Sequence, residues 1–170
     1  MTRNEVEELI TEVRHRQTEL DDLEVKAARE GTPGRSYASL SAFANQPGGG
    51  VMLFGLDEKL RFEIVGVKDA QRLQEDISNL AASEMEPALR PHFSVETFDG
   101  RTVVVVEVDG LPNDRKPCFY KPLGLQKGAY IRVANTNRVM TDYEIFGYVS
   151  TRQHPVFDEE MVNDAMLDDL

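Results

Sequence analysis

Glu24 and Lys26 stand two residues apart in Leu23-Glu24-Val25-Lys26, a stretch that alternates like a β-strand. Strand side chains at i and i+2 point the same way, so a carboxylate and an ammonium would share one face. That pairing suits a Mg²⁺-dependent phosphodiesterase, which needs hard oxygen ligands and a positive group near the scissile phosphate. It suits equally well an exposed strand face carrying solvated charges. A second constellation lies downstream. Lys116 and Lys121 flank Cys118-Phe119-Tyr120, Lys127 follows, Arg132 lies in a short β-rich run, and Arg138 comes six residues later in an Asn/Thr-rich turn. Cations interleaved with aromatics fit single-stranded nucleic acid, whose phosphates are neutralised and whose bases each offer a face for stacking. The alternative is a long loop kept soluble by its lysines, with Phe119 and Tyr120 partly in the core. Gly48-Gly49-Gly50 could present backbone N–H groups to a phosphate. The run lacks the Lys-Ser/Thr of a P-loop, and it lies between helix and strand, the reverse of a dinucleotide fingerprint. A tight connection in which side chains would clash is the reading it supports.

The elements that must position these groups follow from periodicity. Residues 4–18 predict a helix, with Asn4 as N-cap, Glu7 at the capping-box spacing, and Val6, Leu9, Ile10 and Val13 at helical intervals. Leu20 to Ala27 predicts a strand with Leu23 and Val25 on one face and Glu24 and Lys26 on the other. Ser36 to Asn45 predicts a second helix, with Tyr37, Leu40, Phe43 and Ala44 on one face and Pro47 as its stop. Val51 to Phe54 reads as a central strand buried on both faces. Phe62 to Val67 is its expected partner across the Asp57-Glu58-Lys59 turn. A helix from about Ala70 to Met85 follows, then a hairpin of Phe93–Phe98 and Thr102–Val108 joined at Asp99-Gly100. Pro112 to Gly128 reads as a loop, Tyr130 to Val133 as a short strand, and Asp142 to Val149 as a last helix. The expected architecture is α+β, a mixed and mostly antiparallel sheet covered by two or three helices. Residues 1–153 form the expected domain, and 154–170 an acidic tail or linker toward a further C-terminal region.

Bulk composition narrows the function classes. The chain has 170 residues, 41% of them hydrophobic, and a formal net charge of −11. No apolar run approaches the roughly 20 residues that cross a bilayer, and the charged N-terminus lacks a signal-peptide core; a cytoplasmic protein is expected. Cys118 is the only cysteine and reads as a small buried residue, not a nucleophile; with the three histidines far apart, no metal site is expected. The acidic balance opposes a polyanion, but unevenly. Residues 101–140 hold seven bases against three acids, whereas 154–170 hold six acids and no base.

Taken in order, several phrases resemble one family. They are Leu23-Glu24-Val25-Lys26, Ser41-Ala42-Phe43-Ala44-Asn45, Gly48-Gly49-Gly50 with Leu53-Phe54-Gly55, and Ile64-Val65-Gly66-Val67. Pro87, the Val103–Val108 strand, and Tyr130-Ile131-Arg132-Val133 with Asn135-Thr136-Asn137-Arg138 complete the series. The chain over roughly residues 18–150 resembles the AlbA-type, Schlafen-like DNA-binding domain family. The resemblance implies a domain at the N-terminus of larger transcriptional regulators or helicase-related proteins. It also implies an alternative, since one branch of the family contains Mg²⁺- or Mn²⁺-dependent RNA endonucleases with three acidic residues. By position these correspond to Glu19, Glu24 and Asp57, with Lys26 beside them; Asp21 and Asp22 compete with Glu19, and Glu58 with Asp57. The leading expectation is a non-catalytic DNA- or RNA-binding regulatory domain without a cofactor, using Lys116, Tyr120, Lys121, Lys127, Arg132 and Arg138. A protein-interaction or self-association module, docking through helix 4–18 and the tail, is the third reading.

Overall fold

The computed structural model describes residues 1–153. The acidic tail expected at 154–170 lies outside the described residues. Helix α1 runs from Arg3 to Arg16. Its N-cap is Thr2, not Asn4: the Thr2 side chain accepts from Glu5 N–H, and its hydroxyl meets the Glu5 carboxylate. The capping box is therefore Thr2-Arg3-Asn4-Glu5, two residues earlier than Asn4 and Glu7 suggest. Strand β1 (Leu23–Lys26) is followed by α2 (Ser36–Ala44), β2 (Gly50–Phe54), β3 (Leu56–Asp57) and β4 (Glu63–Ile64). Helix α3 (Ala70–Asn79) passes into one π-helical turn, Leu80–Glu84, and then into β5 (Met85–Glu86). The long hairpin is β6 (His92–Phe98) and β7 (Arg101–Val108). Then come β8 (Phe119–Tyr120), the short α4 (Gly124–Gly128), β9 (Tyr130–Val133), β10 (Thr136–Val139) and α5 (Asp142–Gln153).

The main sheet has the order β1-β2-β7-β6. β1 and β2 are parallel, joined by a crossover through α2, and the other two pairings are antiparallel. The fold is α+β with a mixed, mostly antiparallel sheet. Val103 to Val106 show why an unbroken apolar run sits in its middle. Val103 and Val105 pack with Val6, Ile10 and Val13 of α1 on one face, and Val104 and Val106 pack with α2 and α3 on the other. Each fully buried side chain of this size contributes about 1.5–3 kcal/mol.

Four expectations change. The strand expected at Phe62–Val67 as partner of Val51–Phe54 shrinks to the two-residue β4, which pairs with β3 instead, β2 being flanked by β1 and β7; the chain turns at Arg61 and Phe62, both with positive φ. Helix α2 is buried nearly all round, not on one face: Ser36 and every residue from Ala38 to Ala44 are buried. It is covered by the sheet on one side and by β8, β9 and β10 on others. The loop expected at 112–128 contains β8, which pairs with β5, and α4. Arg138 is not in a turn but in β10, opposite Ile131. Among the described residues no helix is long and apolar enough to cross a membrane.

The glycine run is a packing device. Gly49 has φ +70°, and a Cβ there would strike the Val108 carbonyl; a Cβ at Gly50 would land in the Phe43 ring. Side chains are excluded where α2 hands over to β2, as the clash reading expects.

Candidate functional site

β1 lies at one edge of the main sheet, and its alternation decides what faces each way. Leu23 and Val25 enter the core beneath α1, and Glu24 and Lys26 point to the opposite face. There the β9–β10 ribbon folds over the edge. Within this ribbon Arg132 pairs across to Asn137, so both share a face, and that face looks at β1 and α2.

Arg132 is the centre of the resulting network, and its side chain is 1% exposed. One terminal nitrogen donates to Glu24 Oε2 and, at 2.9 Å, to Asn137 Oδ1. The other donates to the Leu23 carbonyl at 2.8 Å and lies 3.8 Å from Glu19 Oε2. The Leu23 contact occupies an acceptor at the open edge of β1. The guanidinium lies 5.2 Å over the Phe43 ring, and its Nε is buried without a hydrogen-bond partner. Asn137 in turn donates to Ser39 Oγ at 3.0 Å. Lys26 Nζ approaches Glu24 Oε1 at 3.1 Å while its side chain stays half exposed. Sequence spacing alone suggests neither Arg132 nor Asn137 as a partner of Glu24, because more than a hundred residues separate them from it.

Above this network opens a cleft of about 520 Å³, lined by Glu19, Glu24, Lys26, Arg35, Ser39, Asn135 and Asn137 among others. Arg35 is exposed at the rim, and the hydroxyls of Tyr130 and Tyr37 beside it raise its pKa. Tyr37 stacks on Tyr120, with centroids 4.1 Å apart and an interplanar angle of 7°. Arg35 is absent from the sequence-derived set; the signal it offers is only its place directly before an uncapped helix start.

The acidic residues divide. Glu19, Glu24 and Lys26 meet in the cleft, whereas Asp57 does not line it. Asp57 accepts from Lys59 N–H at 2.9 Å and pairs with Arg29 at 3.2 Å. Glu58 reaches the cleft in its place. Among the described residues no three His, Cys, Asp or Glu side chains are placed to hold a metal ion. Glu24 is taken up by a guanidinium and an ammonium, and Glu19 by Val25 N–H and Arg132. As they stand these residues do not fit a divalent-cation site, and no step through one is derived.

The basic residues divide as well. Arg132 is turned inward, which corrects its expected role as a surface phosphate contact: its charge is already met by carboxylates. Lys116 is also inside, 2% exposed, with Nζ 5.9 Å from the Tyr148 ring centroid. Burial lowers its pKa. Lys121 and Lys127 are exposed, and so is Arg138, on the ribbon face opposite Arg132. Tyr120 is half-buried in its stack. Cys118 is fully buried, which pushes its thiol up to about 12 and leaves it inert, as expected.

Burial raises the Glu19 carboxyl above the ordinary glutamate value, although the Val25 N–H bond at 2.7 Å works the other way. A carboxyl raised in the folded state binds more protons folded than unfolded over that interval. Its contribution therefore falls as pH rises from the ordinary glutamate value through the raised one. Glu19→Gln, which keeps an acceptor for Val25, should flatten this part of a stability–pH curve measured by urea unfolding. An unchanged curve would show that Glu19 is not the group responsible.

The comparisons with known proteins agree with this architecture. The profile of the family described as Schlafen, AlbA_2 matches residues 19–141. The solution structure of the N-terminal domain of a RecG-related protein from Nitrosomonas europaea is 30% identical, with a TM-score of 0.61, over 80% of this chain and 94% of that one. The crystal structure of the DIP2311 protein from Corynebacterium diphtheriae shares the fold at 20% identity and a TM-score of 0.53, over 75% of this chain and 23% of that one. No curated protein matches the chain in sequence. With β1, the glycine connection, β7 and the Arg132 ribbon all inside the matched span, this chain belongs to the Schlafen, AlbA_2 family.

Proposed function

We propose that this domain binds nucleic acid as a non-catalytic regulatory module. The observation that carries the reading is the Tyr120–Tyr37 stack with Arg35 beside it. It joins exposed Lys121 to the cleft rim, where Lys26 stands, in one run of alternating cations and aromatics. Bases offer π-faces to such a run and phosphates meet its cations. Lys127, exposed on α4, and Arg138, exposed on the outer face of the ribbon, add to the positive surface. Lys116 and Arg132 hold the surface in shape from inside. A role as the N-terminal part of a cytoplasmic transcriptional regulator or helicase-related protein, on DNA or RNA, belongs to the same proposal; the RecG-related neighbour is in keeping with it.

The net charge of −11 makes the binding weak and salt-sensitive. With about three phosphates neutralised, a fourfold rise in salt should lower affinity roughly 20–40-fold. Polarisation titrations with labelled single-stranded DNA and RNA at two salt concentrations measure this. Arg35→Ala with Lys121→Ala should weaken binding by about tenfold, on the order of one lost charge-assisted contact each. No binding of either nucleic acid at low salt would remove the proposal.

The convergence of Glu19, Glu24 and Lys26 favours one second reading, a Mg²⁺- or Mn²⁺-dependent ribonuclease. It lacks Asp57 in the cleft and needs Glu24 released from Arg132. On that reading alone, labelled RNA incubated with either metal is cut by the parent and spared by Glu24→Ala; no cutting by the parent removes it, and equal cutting by both indicates a contaminant.

A further inference from the structure

The end of α1 carries a second cluster of cations, apart from the run of Lys121, Tyr120, Tyr37, Arg35 and Lys26. Its last turn is Arg14-His15-Arg16, and the turn Glu58–Leu60 with Arg61 is folded against it. Arg14, His15, Gln17, Leu60, Arg61 and Glu63 line a shallow depression of about 490 Å³, where two guanidiniums and an imidazole face one carboxylate. Gln17 builds this place. It sits just past the helix with φ +55°, and its N–H caps the Val13 carbonyl at 2.8 Å. Its side-chain amide donates to the Arg14 carbonyl at 2.5 Å and to the Arg61 carbonyl at 3.2 Å, and accepts from Arg61 Nε at 3.3 Å. The carbonyls of Val13 and Arg14, whose partial negative charge at a helix end would repel an anion, are therefore covered. Arg61 is held by its Nε while its two terminal nitrogens stay open, the forked face that takes a phosphate. Among the described residues neither Arg14 nor Arg61 pairs with a carboxylate, whereas Arg16 is spent on Glu12 at 3.1 Å.

We propose that this depression is a second phosphate-binding stretch for the single nucleic-acid strand held at the cleft rim. The strand then runs from Arg35 and Lys26, over the turn at 58–61, to Arg61 and Arg14. The inference rests on the nucleic-acid reading and adds a path to it. One turn of chain joins the two places: Glu58 at its start lines the cleft, and Leu60 and Arg61 at its end line the depression. Lys59 is exposed between them, and Leu60, 47% exposed, offers an apolar surface to a sugar or base. Glu58 repels a phosphate lying directly over it, so the contacts fall on either side of it.

Polarisation titrations of the full chain test this with single strands of increasing length, from about 4 to about 16 nucleotides, the range of known single-strand sites. Arg14→Ala with Arg61→Ala should leave the shortest strand unaffected, which also shows the variant to be folded. The longest strand should bind about tenfold more weakly. Its slope of log affinity against log salt should become shallower by about 1.4, two phosphates at roughly 0.7 each. Gln17→Ala keeps the net charge but frees Arg61, and should cost the longest strand about threefold. Arg90→Ala with Arg115→Ala removes the same charge from a different depression, and should leave both strands within about threefold of the parent. A longest strand bound equally by parent and Arg14→Ala with Arg61→Ala would overturn the path while leaving the nucleic-acid reading in place. So would equal weakening of short and long strands, or a loss matched by the Arg90 and Arg115 pair. A parent that binds no strand of any length at low salt removes the nucleic-acid reading itself, and the path with it.

Discussion

Arg132→Met is expected to lower the unfolding free energy by about 3–5 kcal/mol, the loss typical when one partner of a buried ion pair is removed. The guanidinium answers Glu24, Asn137 and the Leu23 carbonyl from a side chain 1% exposed, with Glu19 close by. Methionine fills similar volume but leaves Glu24 in a largely water-excluded place with only half-exposed Lys26 and a long bond from the Asn137 amide beside it. Urea unfolding of the variant measures the loss. Arg132→Met combined with Glu24→Gln should recover part of it, because the uncompensated charge has gone. Arg132→Lys should recover little, since one ammonium cannot serve three acceptors in the fixed fork of a guanidinium. A loss below about 1 kcal/mol for Arg132→Met would place the pair in the range of solvent-screened surface bridges and refute the buried-network description.

Asn45→Ala should be as damaging, through neutral groups instead of charged ones. From the end of α2, Asn45 donates to the Cys118 carbonyl at 3.0 Å and to the Tyr130 carbonyl at 2.9 Å, and accepts from Cys118 N–H at 2.6 Å. Ser41, one turn earlier, donates to the Cys118 carbonyl and accepts from Tyr130 N–H. The pair stitches the 116–120 segment and β9 to the main domain. Each buried backbone group left unpaired costs roughly 1–3 kcal/mol. With Ser41 still covering one carbonyl, a total near 4 kcal/mol is expected, and a melting point lower by on the order of 10 °C. Asn45→Asp keeps the acceptor for Cys118 N–H but loses both donations, so it should not rescue. A fall of only a degree or two would mean that water replaces the side chain.

Both positions show where sequence reading reaches and where it stops. Asn45 is visible as the end of a small-residue helix before Pro47, and Ser41-Ala42-Phe43-Ala44-Asn45 is among the phrases that suggest the family. Its partners at Cys118 and Tyr130 are invisible, because nothing local records a bond spanning 73 or 85 residues. Arg132 reads in sequence as one more base in a segment with seven bases against three acids. Its burial comes from the β9–β10 ribbon, whose second strand is disguised by the polar run Thr136-Asn137-Arg138. Lys116 is hidden by a different element, α5, whose Tyr148 ring lies beside its ammonium.

Local pattern was sufficient where it is strong. Alternation at Leu23-Glu24-Val25-Lys26, helical spacing at Val6, Ile10 and Val13, the Asp99-Gly100 hairpin and the clash-forbidding glycines all act over a few residues, through backbone sterics and the burial of one face. Those features specify the α+β architecture and most of its elements before any contact is known. Which charges are free and which are spent depends on chain segments brought together from opposite ends of the molecule. Burial and pairing are pairwise properties, and a one-dimensional string states only one member of each pair.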